Sequence, residues 1–332
     1  WLKGQVYGIE DLFGWGIPGK VLEYPLWAAL LGLIFNPILK AVNIFRYAKP
    51  GFRTELFLKI GLVLLGAGIS FKIILTAAAG AIIQGVIMVT AVYMFSWWLG
   101  GKFGLPDTLR AVMSTAVSIC GVSAAIAAAG SVLAKKEEIT YVTALVIITA
   151  LPLMVIAPLI AGALNMPEPV AGAWFGGNVD TTAAVVGAGT IYGETAQKIA
   201  SIVKQTQNVL IGVVAFLLAL YFSTVVEGKK EKPSASIIWQ RFPKFVLGFI
   251  VASVIFTLGW IDKDVAGKAI AGIKDWAFCF AFVCMGLELE LASFKKMGWS
   301  PVIVYMIVTV FNTLLALGVS WLIFGWLFPA SL

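Results

Sequence analysis

The chain has 332 residues, of which 60% are hydrophobic and only 12% are charged, and its mean hydropathy is +0.96. A soluble domain carries about 25% charged residues because its surface faces water, so this composition excludes an ordinary soluble fold. The net charge of +7 fits short loops rich in lysine and arginine rather than a nucleic-acid-binding surface. The absence of histidine excludes His-ligated metals and Ser/His/Asp or Cys/His catalytic sets, and we expect no cofactor and no bound metal.

The chain begins at Trp1 rather than Met, so we expect further sequence upstream. One more membrane span is an option for that upstream sequence. Residues 1–20 have the Trp, Gly and Pro content of a segment at the membrane interface. Ten apolar segments follow, and each is long enough to cross a hydrocarbon core of about 30 Å as a helix. They cover residues 21–39, 55–71, 73–99, 108–133, 139–163, 169–191, 196–225, 242–261, 268–291 and 301–328.

A hydrophilic stretch, 227–240, is predicted to be a cytoplasmic linker between two membrane parts, 21–226 and 241–332. Ten spans divide into five and five, and an odd number per half inverts the second half relative to the first. The predicted fold class is therefore an all-α polytopic membrane protein of about ten transmembrane helices, an inverted-repeat transporter with discontinuous helices. The Lys/Arg bias places the loops around residues 40–53 and 102 in the cytoplasm, and those around 72 and 135–136 outside.

The centre of the fourth segment, 114–125, combines hydroxyl side chains with a glycine and a run of alanines. If the helix breaks at Cys120-Gly121, the half-helix from Val122 aims free N–H groups and a positive dipole end at the midplane. We therefore predict an anion site here. Its members are Ser118, Cys120, Gly121, Val122 and Ser123. The alternative is close helix packing through small residues.

A carboxylate lies near the middle of the sixth segment, at Asp180, with Asn178 and Thr181 beside it. A charge at this depth costs several kcal/mol unless it is paired, hydrated or protonated. We predict that Asp180, Asn178 and Thr181 bind a coupling ion. The alternative is a structural ion pair with a lysine of the next segment.

The seventh segment carries Gln197, Ser201, Lys204 and Asn208 at i, i+4, i+7 and i+11, which is one helical face. Such a stripe should face protein or a water-filled path, and Lys204 and Asn208 are predicted substrate ligands. Lys204 has an alternative, which is to snorkel to the outer interface.

Glu288, near the end of the ninth segment, is predicted to be a further ion-binding group, with an interfacial charge pair as the alternative. The next carboxylate, Glu290, precedes Lys295 and Lys296 and is expected to be solvated.

The sequence resembles the YeiH-like bacterial sulfate exporter family at three motifs, from about residue 25 to 305. The first is Ser118–Ala125, the second is Val179–Thr181 followed by Ala184–Gly189, and the third is Met285–Leu287 followed by Phe294–Trp299. The resemblance, which extends to the bile-acid, arsenite and riboflavin transporter superfamily, implies a core of crossed, broken helices, a panel domain and alternating access. It also implies breaks in the fourth and ninth segments, whereas the motifs here put the second break in the sixth. That choice stays open at this point.

The chain departs from the family at positions that make the expected path less positive. Asp180 stands where the family typically has histidine, Gln207 where it often has arginine, and Glu288 and Glu290 where small polar residues are common. The hypothesis is a secondary active transporter, an exporter of a small anion such as sulfate or an organic sulfonate, coupled to H⁺ or Na⁺. The alternatives are a cation-coupled symporter of an organic solute, a passive channel, and an intramembrane enzyme or receptor, of which the enzyme is not expected. We expect a multi-pass protein of the bacterial inner membrane in contact with lipid, and, by analogy, a homodimer.

Overall fold

The computed structural model describes residues 24–226, 236, 239, 244–261, 263–288 and 298–329, and these form helices and turns with no strand among them. The described residues contain twelve helices of eleven or more residues, and Phe45–Ala48 and Lys49–Gly51 form a short helical link between the first two. The helices are α1 Tyr24–Ala41, α2 Thr54–Ala67, α3 Phe71–Lys102, α4 Asp107–Ser118, α5 Val122–Val132, α6 Lys136–Ala163, α7 Glu168–Asn178, α8 Thr182–Tyr192, α9 Glu194–Tyr221, α10 Phe245–Thr257, α11 Lys263–Leu287 and α12 Ser300–Ser320.

Within the described residues, six helices are long and apolar enough to cross a membrane: α1, α3, α6, α9, α11 and α12 with its continuation to Leu327. Large apolar side chains such as Ile34, Ile82 and Trp326 are exposed on their outer surfaces. Exposure of this kind suits a lipid environment and not water. The prediction of a polytopic all-helical membrane protein is therefore confirmed, and the inverted repeat stays a prediction. The number of ten transmembrane helices is not confirmed, because the segments 108–133 and 169–191 form hairpins that do not cross the molecule.

The helices pack in two groups. One group, here called the panel, consists of α1, α2, α10 and α11, in which α11 packs on α1 and α2, and α2 packs on α10. The other group, here called the core, consists of α3 to α9 and α12. Each group takes helices from both sides of the predicted 227–240 linker, most of which lies outside the described residues, as does the 1–20 segment.

The fourth apolar segment does not cross the molecule. It breaks after Ser118, and α4 and α5 pack against each other as a helical hairpin. The Thr108 hydroxyl, at the start of α4, donates a 3.0 Å hydrogen bond to Glu138, in the first turn of α6. Because α6 follows α5 directly, both ends of this first hairpin lie at the amino-terminal end of α6.

The sixth segment forms a second hairpin, from α7 and α8. The Glu168 carboxylate, at the start of α7, accepts the N–H of Thr195 at 3.0 Å, just past the end of α8. The Tyr192 hydroxyl, at the end of α8, donates to the Met166 carbonyl at 2.5 Å. Since α6 has 28 residues and is about 42 Å long, the two hairpins enter the core from opposite ends.

These hairpins correct two predictions. The segments 108–133 and 169–191 were expected to be discontinuous spans, but each returns to the end at which it entered. Lys135 and Lys136 were expected on the opposite side from Lys102, and this was wrong, because the first hairpin brings both loops to one end. A small cavity shared by Lys49 and Thr140 places the α1–α2 link at the same end. Counting apolar segments could not reveal the two hairpins, since a hairpin and a span have the same apolar length.

The position of the second break is now defined. The chain breaks in the sixth segment, between Asn178 and Thr182, whereas α11 runs without interruption from Lys263 to Leu287. The motif in the sequence located the break correctly, and the position implied by the resemblance was wrong for the described part of the ninth segment.

Candidate functional site: two hairpin tips and a cavity

The tip of the first hairpin is a sharp turn at Cys120-Gly121, as the sequence predicts. Gly121 has φ +67° and ψ −110°, a backbone conformation that residues with a Cβ rarely adopt. A Cβ at this position would also collide with the Val146 side chain on α6. Glycine is therefore required here both for the turn and for the close approach of α6.

The two tips lie against each other. A Cβ built on Gly121 would be 3.4 Å from the carbonyl oxygen of Asp180 and 3.4 Å from the Thr181 methyl group. In the second tip, Val179 and Thr181 are extended, and the Thr181 hydroxyl accepts the N–H of Ala184 at 3.2 Å as the N-cap of α8. Two helix interruptions that are far apart in sequence thus form one structure.

Lys204 joins both tips from α9. It is 1% exposed, and its ammonium group donates hydrogen bonds to the Ile119 carbonyl in the first tip and to the Val179 carbonyl in the second, at 2.8 Å. A third bond, of 3.2 Å, goes to Gln207. The carboxyl ends of α4 and α7 carry partial negative charge, and a buried cation there is favourable. The structure places Lys204 inside the protein, not at an interface, and behind the tips.

The amino ends of α5 and α8 face the other way, into a cavity of about 480 Å³ between core and panel. Val122, Ser123, Thr182 and Ala183 line it, and these are the first residues of the two half-helices. The first amides of a helix lack intrahelical acceptors and carry partial positive charge. At each tip, the carboxyl end of the first half-helix, with its partial negative charge, therefore faces Lys204. The amino end of the second half-helix, with its partial positive charge, faces the cavity.

Asn208 lines the same cavity from α9. It is 2% exposed, and its amide nitrogen lies 3.3 Å from the Thr182 hydroxyl. Its side-chain oxygen has no hydrogen-bond partner among the residues that the structure describes. The oxygen and nitrogen of an amide are interchangeable by a flip, so Asn208 offers the cavity either an acceptor or a donor. A buried amide with one unused end is the type of group that a ligand satisfies.

The predicted substrate group is only partly brought together. Cys120, Val122, Ser123 and Asn208 line the cavity, whereas Lys204 is behind the tips. Ser118 is buried as the last residue of α4, where its hydroxyl donates to the Thr115 carbonyl at 3.4 Å.

Asp180 turns away from the cavity, towards α6 and α12. Its Oδ2 accepts a hydrogen bond from the Tyr305 hydroxyl at 2.6 Å, and the Thr149 hydroxyl lies 3.5 Å from the same oxygen. Within the described part of the chain, its Oδ1 has no hydrogen-bond partner. It is 1% exposed. The alternative of a direct ion pair with a lysine of the next segment receives no support, because Lys204 bonds to carbonyl oxygens and Gln207 instead.

The other predicted ion ligands are divided between two places. The Asn178 side-chain oxygen accepts a 2.8 Å hydrogen bond from the Thr313 hydroxyl of α12. Asn178 is thus close to Asp180 in sequence, but the two side chains have different partners. Thr181 and Glu288 instead line the cavity. Asp180 and Glu288 therefore contact different elements, and the structure does not join them as a carboxylate pair.

Several residues of the site were missed in the sequence. On the panel side, Glu55 and Lys59 line the cavity, form a 2.7 Å ion pair, and Glu55 accepts a hydrogen bond from Ser123 across the core–panel interface. On the core side, Tyr305 and Thr149 hold Asp180. Glu55 and Lys59 are at i and i+4 near the start of an apolar segment, and Tyr305 is a hydroxyl among apolar residues. A polar group within such a segment is a signal that could have identified them.

A second, smaller cavity, of about 200 Å³, lies at the other end of the core–panel interface. Glu194 and Lys198 of α9 line it from the core, and Ala271 and Lys274 of α11 line it from the panel. Between the two cavities, Phe282 of α11 is fully buried and packs near Gly187 of α8. The interface is therefore closed between a larger and a smaller cavity.

The fold and this site define a multi-pass helical membrane protein with two opposed helical hairpins and an internal cavity at their tips. The chain belongs to the family described as Conserved hypothetical protein 698, whose sequence model matches residues 16–305.

Curated relatives carry the name UPF0324 membrane protein. One from Nitratidesulfovibrio vulgaris Hildenborough is 36% identical over 95% of this chain and 56% of its own length. One from Rhodopirellula baltica is 35% identical over 91% of this chain and 58% of its own length. One from Nitrosomonas europaea is 29% identical over 99% of this chain and 75% of its own length. The chain thus spans little more than half the length of the first two relatives. No solved structure matches the chain.

Proposed function

We propose that this protein is a secondary active transporter of a small anion, such as sulfate or an organic sulfonate, and that the anion binds in the cavity at the hairpin tips. The observation that carries the proposal is the convergence of two half-helix amino ends, α5 and α8, on one cavity. Oriented amides bind an anion without a full positive charge, so release remains easy. Transporters commonly place substrates at such interrupted helices near the midplane.

The coupling ion would bind at or near Asp180. The Asp180 Oδ1, to which no described residue donates a hydrogen bond, lies on the second tip, and the next residue, Thr181, lines the cavity. Proton or Na⁺ binding at Asp180 would therefore act on the same turn that presents the α8 amino end. Neither a cofactor nor catalysis has a part in this proposal.

The proposed location is the bacterial inner membrane, with the larger cavity open towards the cytoplasm. The loops at the end of the molecule where this cavity lies carry Lys40, Arg46, Lys49, Lys135 and Lys136, and positive loops favour the cytoplasmic side. Export, alternating access and a homodimer belong to the proposal as well. A passive channel is less well supported, because buried Phe282 closes the interface between the two cavities.

The test is ligand-dependent thermal stabilisation of the purified protein with sulfate, sulfonates and other small anions, with and without Na⁺ and at two pH values. A ligand that binds only the folded protein raises its apparent melting temperature by mass action. Stabilisation by an anion, with saturable gradient-driven transport in liposomes, is expected. No effect of any anion, with stabilisation by a neutral solute or by Na⁺ alone, would contradict the proposed substrate class.

Asp180→Asn tests the coupling. The substitution keeps an oxygen for the Tyr305 hydroxyl but removes the charge, so we expect a folded protein that has lost H⁺- or Na⁺-driven transport. Asp107→Asn, which changes an exposed carboxylate outside both cavities, is the control and should transport normally. Full coupled activity in Asp180→Asn would rule out this role.

A further inference from the structure

The cavity has a second wall whose chemistry differs from that of the tips. The amino ends of α5 and α8 and the Asn208 amide lie on the core side, while Glu55 and Glu288 lie on the panel side. A site for a simple anion has no use for carboxylates, because they repel it. The presence of these carboxylates in the same cavity therefore indicates a substrate that also carries a positive group.

The panel wall also contains two lysines, and each has a partner of its own. Lys59 pairs with Glu55 at 2.7 Å. Lys244 donates to the Trp239 carbonyl at 3.3 Å, and its ammonium lies 5.5 Å from the centre of the Trp239 ring.

No ion pair joins Glu288 to a lysine or arginine among the residues that the structure describes. Thr54 lies beside Glu288 in this wall, and Lys49 lies with Glu288 around a neighbouring cavity. Among the described residues Glu288 is therefore the carboxylate of this wall that has no ion pair of its own and that a ligand cation can pair with.

We infer that the substrate is a small zwitterion, with an acid group at the amino ends of α5 and α8 and a cationic nitrogen at Glu288, beside Glu55. This rests on the proposed transport function and narrows its substrate class. Two independent features support the acid end: the paired helix amino ends and the buried Asn208 amide with an unused atom. The cavity of about 480 Å³ has ample room for a compact molecule of this kind.

The contact of Glu55 with Ser123 adds a reason for the two-ended arrangement. The Ser123 hydroxyl, on the first turn of α5, donates to Glu55, so the core and panel walls already touch through one carboxylate. A zwitterion would bridge the walls in the same way, from the tip amides to Glu288. A simple anion would contact the core wall and leave Glu288 without an ion pair among the described residues, which is costly for a half-buried charge.

The test compares matched ligands that differ only in the nitrogen. The sulfonate pair is 2-aminoethanesulfonate and 2-hydroxyethanesulfonate, and the carboxylate pair is 3-aminopropanoate and 3-hydroxypropanoate. We expect the amino member of at least one pair to bind about tenfold more tightly, since hydrogen bonds to charged groups exceed neutral ones by this order. The pair that shows the preference identifies the acid group.

Glu288→Gln should reduce the amino preference to near unity while the hydroxyl analogue binds as before. Asp275→Asn is the control, since Asp275 is a half-exposed carboxylate on α11, the helix that ends just before Glu288, and lies outside this cavity. Equal binding of both members by the natural protein would overturn the inference and leave the proposed anion transport standing. An amino preference that survives Glu288→Gln would overturn the role of Glu288, and failure of all ligands and of sulfate would overturn inference and proposed function together.

Discussion

Lys204 is a buried cation whose partners are backbone carbonyls from two different hairpins. It was predicted as a substrate ligand, and its contacts explain why it lies at the tips without lining the cavity. An unpaired carbonyl inside a membrane protein finds no water, so the Ile119 and Val179 carbonyls depend on this ammonium group. Its role in this structure is to position the tips.

Lys204→Met should destabilise the protein, since each carbonyl left unpaired costs about 1–3 kcal/mol. We expect a melting temperature several degrees lower in detergent and weaker anion binding. Lys198→Met, six residues earlier on the same helix, removes only a surface pair with Glu194 and should cost less than about 1 kcal/mol. Equal stability of the two variants would show that the tips do not need Lys204.

Gly121→Ala should disrupt the first tip, because the new Cβ meets both a left-handed backbone and the Val146 side chain. Gly104→Ala tests a positive φ without the steric clash, since Gly104 has φ +68° and open space around it. We expect Gly104→Ala to cost about 1–2 kcal/mol from backbone strain, and Gly121→Ala to cost more and to abolish ligand binding. Thermal unfolding and ligand titration of both variants provide the measurement. Normal binding by Gly121→Ala would contradict the requirement for a close tip.

At the scale of elements, the hairpins explain how helices too short to cross a bilayer place their tips at its middle. The helices α4, α5, α7 and α8 have 11 or 12 residues, about 17 Å each, which is half of a bilayer core. Entry from opposite ends brings both tips to the middle of the molecule. A pair of straight broken helices would also bring breaks together, but it would not return the chain to its starting end.

The panel is held together by close glycine contacts between α1 and α11. A Cβ on Gly286 would collide with the Ala29 carbonyl, and one on Gly32 with the Val283 carbonyl. Such small-residue contacts let membrane helices approach closely without a hydrophobic driving force. The separation of α1 and α11 is therefore set by these glycines.

Gly286→Ala should separate α1 from α11 and lower the melting temperature by several degrees. Gly272→Ala is the matched control on α11, because a Cβ there meets nothing within 4 Å. It should be neutral or stabilising by up to about 1 kcal/mol, as expected from helix propensity. If both variants unfold alike, the α1–α11 contact does not depend on glycine.

At the scale of the whole molecule, the arrangement of two cavities on one interface fits a carrier in which panel and core move relative to each other. The larger cavity lies at one end and the smaller at the other, and buried Phe282 separates them. Opening the smaller cavity while closing the larger would require the panel to shift across the hairpin tips.

A cross-link across the smaller cavity tests this movement. In a protein from which the native cysteines are removed, Lys198→Cys and Ala271→Cys face each other from core and panel. A short, reducible bifunctional thiol reagent should abolish transport, and dithiothreitol should restore it. The control pair, Phe57→Cys and Phe280→Cys, lies within the panel, where the two rings are 5.4 Å apart. Undiminished transport after complete cross-linking of the first pair would exclude relative movement at this position.

The sequence by itself determined the environment and the breaks. Composition and apolar length identified a polytopic helical membrane protein, because a bilayer demands both. The turn at Cys120-Gly121 and the interruption at Asp180 were also predictable, since glycine and a carboxylate are unusual at the centre of an apolar helix. These are local properties, and they do not depend on how the rest of the chain packs.

Only the tertiary structure decided how those breaks are used. Apolar length is the same for a span and for a hairpin, so the return of the chain at 133–136 and 192–194 depends on contacts such as Thr108 with Glu138. Tyr305 reaches Asp180 from 125 positions away, and Glu55 meets Ser123 across 68. Lys204 lies behind the tips, and the Glu55 and Glu288 carboxylates lie at the cavity. These positions follow from tertiary packing, which no local sequence pattern encodes.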